Sequence, residues 1–223
     1  MRFSVIIPTL NESASLSFAL RQLLASIPYL SEVEILICDG GSSDDTLTQA
    51  RQFPVIILNS PAGRAKQMNH AAEKAIGDWL VFLHADTHLP NHWMQLITES
   101  NALWGRFDLR LSGRHWALRV IEKAINLRSR KSAVATGDQA LFFRRDFFHQ
   151  LGGYPDIPLM EDVAISKLAR QQQPPACIHE PVVTSSRRWE QNGILRTVLL
   201  MWWLRLCFWF GINPETLHRW YYR

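Results

Sequence analysis

DWLVFLHADTHLP, Asp78 to Pro90, runs from an apolar stretch, Trp79–Leu83, straight into His84, Asp86, Thr87 and His88. A short apolar run bounded by polar residues predicts a strand buried on both faces. A core strand that opens into oxygen and imidazole donors points to a site at its carboxyl end. The preceding segments repeat the pattern. "FSVII" is followed by a helix with Asn11 as the expected N-cap and Leu16, Leu20, Leu23 and Leu24 on its buried face. "EILIC", a helix beginning near Ser43, "VIIL" and a helix over "GRAKQMNHAAEKAI" lead to the opening strand, giving four β–α units in ninety residues. The alternation predicts an α/β fold, a doubly wound, mostly parallel sheet with helices on both faces.

In such sheets ligands bind outside the carboxyl ends of the strands. Three of those ends carry "PTLNE", "DGGSSDDT" and "HADT". Each cluster alone also suits turns and helix caps. Three at successive strand ends converge on one edge and point to a site. Asp39, followed by Gly40 and Gly41, can accept hydrogen bonds from a base or ribose where the backbone comes close. Asp86 is a hard oxygen ligand suited to Mg2+ or Mn2+, with phosphate oxygens filling the remaining positions. Arg64 and Lys66, near a helix start, add positive charge on the phosphate side. Neither G-x-x-x-x-G-K-[ST] nor G-x-G-x-x-G occurs, so the pattern fits a nucleoside diphosphate rather than γ-phosphoryl or hydride transfer.

A chain of 223 residues with 47% hydrophobic content can bury one substantial core. Three cysteines without a C-x-x-C pair argue against a disulfide framework or thiolate zinc site, and a cytoplasmic location is expected. The first apolar run meets Pro8 and Asn11 too soon for a signal peptide, so the mature chain is expected to start at Met1. Of the net charge of +4, the excess is local: eight basic residues between Arg106 and Lys131 face only Asp108 and Glu122. That stretch reads either as a solvated helix face or as a surface for phosphate or anionic lipid. No nucleic-acid partner is implied.

The segment "ILRTVLLMWWLRLCFWFGINPETLHRWYYR" is apolar but interrupted by Arg196 and Arg205, and five of nine tryptophans fall between Trp189 and Trp220. An arginine near the middle of a spanning helix is costly, so spanning is not expected. The alternatives are a helical tail packed on its own domain, a homodimer contact, or an interfacial helix at a membrane surface. Each would shield an acceptor of lipid or apolar character.

"SVIIPTLNE", "CDGGSSDDT", "GRAKQMN", "FLHADT", "TGDQALFFRR" and "LMEDVAIS", in this order, resemble a family 2 glycosyltransferase with a GT-A fold. More narrowly they resemble the small bacterial group labelled arsenosugar-biosynthesis-type glycosyltransferases. The similarity covers residues 3–189, dividing the chain into a glycosyltransferase domain, 1–189, and an aromatic-rich tail, 190–223. It implies a nucleoside-diphosphate sugar donor, an acceptor it does not specify, a divalent cation (Mn2+ or Mg2+) and an inverting transfer.

On this resemblance Pro8, Thr9, Asn11 and Glu12 line the nucleoside pocket and Asp39 holds the base, with Arg64, Lys66 and Asn69 on the donor side. Asp86 matches the second carboxylate of the D-x-D metal motif. His84 stands where the first would be, a departure that suits Mn2+ better than Mg2+; it also reads as a structural strand-end histidine. Gly137, Asp138 and Gln139 lie beside donor sugar and acceptor. Asp162 becomes the general base with Glu161 supporting it, while Val163, Ile165, Leu168 and Ala169 face the core. Acidic residues in a first helical turn also simply complement the dipole. Arg188 would pair with diphosphate and Trp189 stack on a sugar, at a place where Ser185 replaces the glutamine of Q-x-x-R-W. A surface arginine and a core tryptophan are the competing reading. Two other classes stay open. A nucleotidyltransferase lacks its Gly-rich basic loop here, and a sugar-nucleotide sensor would keep Asp39 and Asp86 but need no base.

Overall fold

The computed structural model describes residues 1–222. Its first half is built from strands β1 (Phe3–Thr9), β2 (Val33–Asp39), β3 (Ile56–Asn59) and β4 (Trp79–Phe82) with helices α1 (Leu16–Ala25), α2 (Thr46–Ala50) and α3 (Arg64–Lys74) between them. Residues of β1 alternate between two layers because successive side chains leave a strand on opposite faces. Val5 and Ile7 pack with Leu16, Leu20 and Leu23 of α1, and Ile6 packs with Ala65, Met68 and Ala71 of α3. In β4, Trp79 and Val81 join the first layer, Leu80 and Phe82 the second. Both faces are covered, which is why these strands read as unbroken apolar runs.

The second half adds β5 (Thr87–His88), α4 (Trp93–Glu99), β6 (Trp104–Leu111), α5 (Trp116–Ser132), β7 (Phe142–Arg144), α6 (Arg145–Gln150), α7 (Glu161–Gln172), β8 (Ala176–Thr184), α8 (Arg187–Asn192), α9 (Ile194–Trp209) and α10 (Pro214–Tyr221). The sheet order is β3-β2-β1-β4-β7-β6-β8-β5. The first four strands are parallel, β7 runs antiparallel to β4 and β6, and β8 is parallel to β6. A mostly parallel α/β sheet with helices on both faces is therefore present.

Three sequence expectations change. Asn11 is not the cap of α1. It adopts a left-handed backbone, φ 57°, and the helix begins after Ser15. Asparagine tolerates that conformation, and here its Oδ1 accepts from the Ser43 N–H at 2.9 Å. Leu168 does not face the core; it is 41% exposed. Ser166 is buried instead, its hydroxyl donating to the Asp162 carbonyl at 2.7 Å. The basic stretch from Arg106 is not one solvated helix face. Arg106 lies wholly buried inside β6, paired with Asp108, which also takes Arg130.

Leu204 and Cys207 of α9 and Leu217 of α10 form a small core with Val134, Met160 and Val163. α9 and α10 thus pack on the rest of the chain through this core. The opposite stripe of α9, Leu195, Leu199, Trp202, Leu206 and Trp209, is exposed. Among the described residues no helix is long and apolar enough to cross a membrane.

Candidate active site

The loops after β1 and β2 are latched to each other. The Asn11 N–H donates to Ser42 Oγ at 2.9 Å and the Glu12 N–H to Thr46 Oγ1 at 2.8 Å. Asp39 closes the latch: it accepts from Thr9 Oγ1 at 3.1 Å, from the Gly41 and Ser42 N–H groups at 2.9 and 2.8 Å, and from the Ser42 hydroxyl. Burial pushes this carboxyl up, but the hydrogen bonds from Ser42, Gly41 and Thr9 outweigh it and hold the pKa below the ordinary value. Pro8 lies in register with Cys38 and Thr9 with Asp39 at the strand ends. Gln67, which the sequence reading missed, donates from α3 to the carbonyls of Thr9 and Cys38 at 2.7 and 2.8 Å. Its amide lies so close to Gly40 that a Cβ there would sit 3.1 Å away. A glycine is what lets the strand end and helix meet.

After β4, Asp86 Oδ1 is 3.4 Å from Thr87 Oγ1 and 3.5 Å from Thr184 Oγ1. Glu12 is near enough to feel it. Burial first, then the Asp86 charge, raise the Glu12 carboxyl against the opposing Ser15 hydroxyl, Arg187 and Arg64. Among the described residues no three His, Cys, Asp or Glu side chains gather into a protein-only cage. Mg2+ and Mn2+ at phosphate sites need no such cage, because one or two carboxylates plus substrate oxygens suffice. Asp86 and Glu12 are two carboxylates of the hard-oxygen type such a site uses.

His84 abuts the turn at residues 137–139: a Cβ on Gly137 would lie 2.7 Å from its Nε2. Burial and the Arg64 charge hold its pKa well below the ordinary value, so the ring is neutral near pH 7. On the other side of that turn, the Gly137 N–H donates to Asp162 Oδ2 at 2.7 Å, and the Val163 N–H donates to Asp162 Oδ1 at 2.6 Å. Both oxygens are thereby oriented at the start of α7. Asp162 opens onto a pocket also lined by Arg64, Thr136, Leu159, Met201, Arg205 and Tyr221.

Glu161 is 3% exposed and lies 3.6 Å from Arg64. Burial and the neighbouring Asp162 push it up to about 7, against the opposing Arg64 charge. Its folded pKa exceeds its unfolded one, so its contribution to stability is present below about pH 4.5 and lost as pH rises through 7. Glu161→Gln should flatten that loss, by on the order of 3 kcal/mol. Urea unfolding between pH 4.5 and 8 measures it; an unchanged slope in the variant would remove Glu161 as the cause.

Other expected residues are engaged elsewhere. Lys66 reaches Asp156 at 3.9 Å. The Asn69 amide donates to the Tyr154 carbonyl at 2.8 Å and its Oδ1 accepts from the Tyr154 N–H at 2.9 Å, a clamp on the chain before α7. Gln139 is buried, accepting from the Thr136 N–H at 3.2 Å. Asp138 is raised by burial, and one of its oxygens is buried without a partner. The Arg188 guanidinium lies 3.7 Å over the Tyr221 ring. Trp189 packs against the main core. Arg187, with Arg64, and not Arg188, supplies the positive charge that acts on Glu12. Arg205 and Tyr221 were missed because nothing local in the tail marks them as pocket residues.

A parallel sheet whose strand ends gather Asp39, Glu12 and Asp86, followed by a helix headed by a carboxylate, has the architecture of a GT-A glycosyltransferase. Solved structures agree. The chain is similar to S. aureus TarS 1–349 in complex with UDP-GlcNAc, at TM-score 0.66 and 18% identity over 83% of this chain and 58% of that one. It is also similar to the mannosyltransferase PcManGT from Pyrobaculum calidifontis in complex with GDP-Man and Mn2+, at TM-score 0.61 and 20% identity over 82% and 56%. Residues 4–150 match Glycosyl transferase family 2, and the chain belongs to that family. Among curated relatives, the PGL/p-HBAD biosynthesis glycosyltransferase of Mycobacterium bovis (strain BCG / Pasteur 1173P2) is 30% identical over 167 residues, 68% of this chain. The chain spans 62% of that relative's length.

Proposed function

We propose that this protein transfers a sugar, with inversion, from a nucleoside-diphosphate sugar to an acceptor hydroxyl. The observation that carries the reading is Asp162, its carboxylate fixed by the Gly137 N–H at 2.7 Å on an open pocket. In an inverting transfer one carboxylate takes the acceptor proton as the hydroxyl oxygen attacks the anomeric carbon and the diphosphate leaves. Asp162 is that base, and Glu161 with Arg64 positions it. Pro8, Thr9, Asn11 and the loop held by Asp39 line the nucleoside side. Asp86 and Glu12 would hold a divalent cation, which supplies charge stabilisation to the departing diphosphate. His84 separates the two halves as a neutral wall against Gly137. The outward apolar stripe of α9 supports a cytoplasmic protein seated peripherally at the inner membrane surface.

A panel of nucleoside-diphosphate sugars scored for slow hydrolysis with Mn2+ or Mg2+ tests this. One donor is expected to be hydrolysed, and the reaction to stop when EDTA removes the cation. Binding without turnover would favour a sugar-nucleotide sensor, and pyrophosphate release from a nucleoside triphosphate a nucleotidyltransferase.

A further inference from the structure

The eight basic residues between Arg106 and Lys131 separate into kinds once folded. Arg106 and Arg130 pair with Asp108, Arg119 pairs with Glu122 at 3.0 Å, and Arg110, Arg114, Lys123 and Lys131 are exposed. Arg128 fits neither kind. It forms no ion pair among the described residues, and its Nη1 is buried without a hydrogen-bond partner. Close to it lies Arg205 of α9, also without an ion pair, which lines the pocket onto which Asp162 opens. A guanidinium nitrogen buried without a partner is expensive, and a second, partly buried guanidinium without an ion pair nearby adds to the cost.

The carboxylates in reach do not satisfy them. Asp162 is bound by the N–H groups of Gly137 and Val163. Asp138 Oδ1 is itself buried and unpartnered, and burial shifts that carboxyl toward its neutral form. The pocket that Arg205 lines has an apolar part, Leu159, Met160, Met201 and Leu204, beside the polar Arg64, Thr136, Glu161 and Tyr221.

We infer that Arg205, backed by Arg128, is an anion subsite for the acceptor, and that the acceptor carries a phosphate group near the hydroxyl it presents to Asp162. The inference rests on the sugar-transfer reading, whose acceptor it specifies. A guanidinium fork matches phosphate oxygens geometrically, and the apolar wall beside it suits the carbon skeleton that joins phosphate to hydroxyl.

The test is calorimetric titration of inorganic phosphate into the full chain, first saturated with UDP and Mn2+ so that donor phosphate positions are filled. Wild type should bind phosphate, and Arg205→Gln should weaken it about 10- to 100-fold with UDP affinity unchanged. Arg128→Gln should weaken it in the same direction. Glycerol 3-phosphate and dihexanoyl phosphatidic acid distinguish a soluble phosphate ester from a lipid headgroup, tighter binding of either one supporting the subsite. No phosphate binding by the UDP-loaded protein, or equal binding by Arg205→Gln, would overturn it. If Arg205→Gln does not fold, Arg205→Lys keeps the charge and loses the fork; wild-type phosphate affinity there overturns it equally. If UDP itself fails to bind, the donor reading falls, while phosphate titration of the unloaded variants still decides Arg205.

Discussion

Asp162→Asn should lower the rate of sugar transfer by about 10²–10⁴-fold, the usual contribution of a general base, with the donor dissociation constant unchanged. Asparagine keeps an oxygen that can accept from the Gly137 N–H, the 2.7 Å bond that sets the side chain's direction. The amide NH2 cannot replace the other oxygen as acceptor for the Val163 N–H, so a modest loss of stability should accompany the loss of basicity. A carboxylate that merely complements the dipole of α7 would give a different result: a loss of about 0.3–1 kcal/mol in stability with normal turnover. Transfer rate, donor affinity and thermal midpoint measured together separate the two, and wild-type turnover would eliminate Asp162 as the base.

Removing the other key carboxylate should act on binding. Asp86→Asn is expected to weaken cation-dependent nucleotide binding by at least about 10-fold, since it takes away a charged oxygen ligand. Thr87 and Thr184 can still approach the amide oxygen, so the fold should hold. In wild type EDTA should produce a similar loss of affinity, and in the variant it should add little, because the two changes remove one interaction. Independent, additive effects would place the cation elsewhere.

The first-half strands were legible because a strand covered on both faces must be apolar throughout, and Phe3–Thr9 and Trp79–Phe82 are nearly so. β6 was hidden for the opposite reason. Arg106 and Asp108 occupy inward positions in WGRFDLRL, and the partner that makes this tolerable, Arg130, lies 22 residues away in α5. Local pattern carries no record of such a pairing. The same limit applied to the site. Asp86 stood out by its strand-end position and Asp162 only through the motif resemblance, since its helix-start position alone reads as dipole complement; Asn69 shares a motif with donor-side residues and clamps Tyr154. Arg205 became visible only when α9 folded back onto α7.

Met160, the residue before α7, has a left-handed backbone with φ 70°, a conformation that costs a non-glycine residue energy unless its surroundings hold it. What holds it is the small core with Leu204, Cys207 and Leu217. These three residues follow Glu161 and Asp162 in the chain by some forty positions or more, so they emerge from the ribosome only after the carboxylates have. At roughly 5–20 residues per second, translation leaves an interval of seconds in which the first-half strands can assemble while the α9–α10 wall beside Asp162 does not yet exist. The growing chain therefore gains the strand-end cluster around Asp39 and Asp86 before it gains the pocket at Asp162.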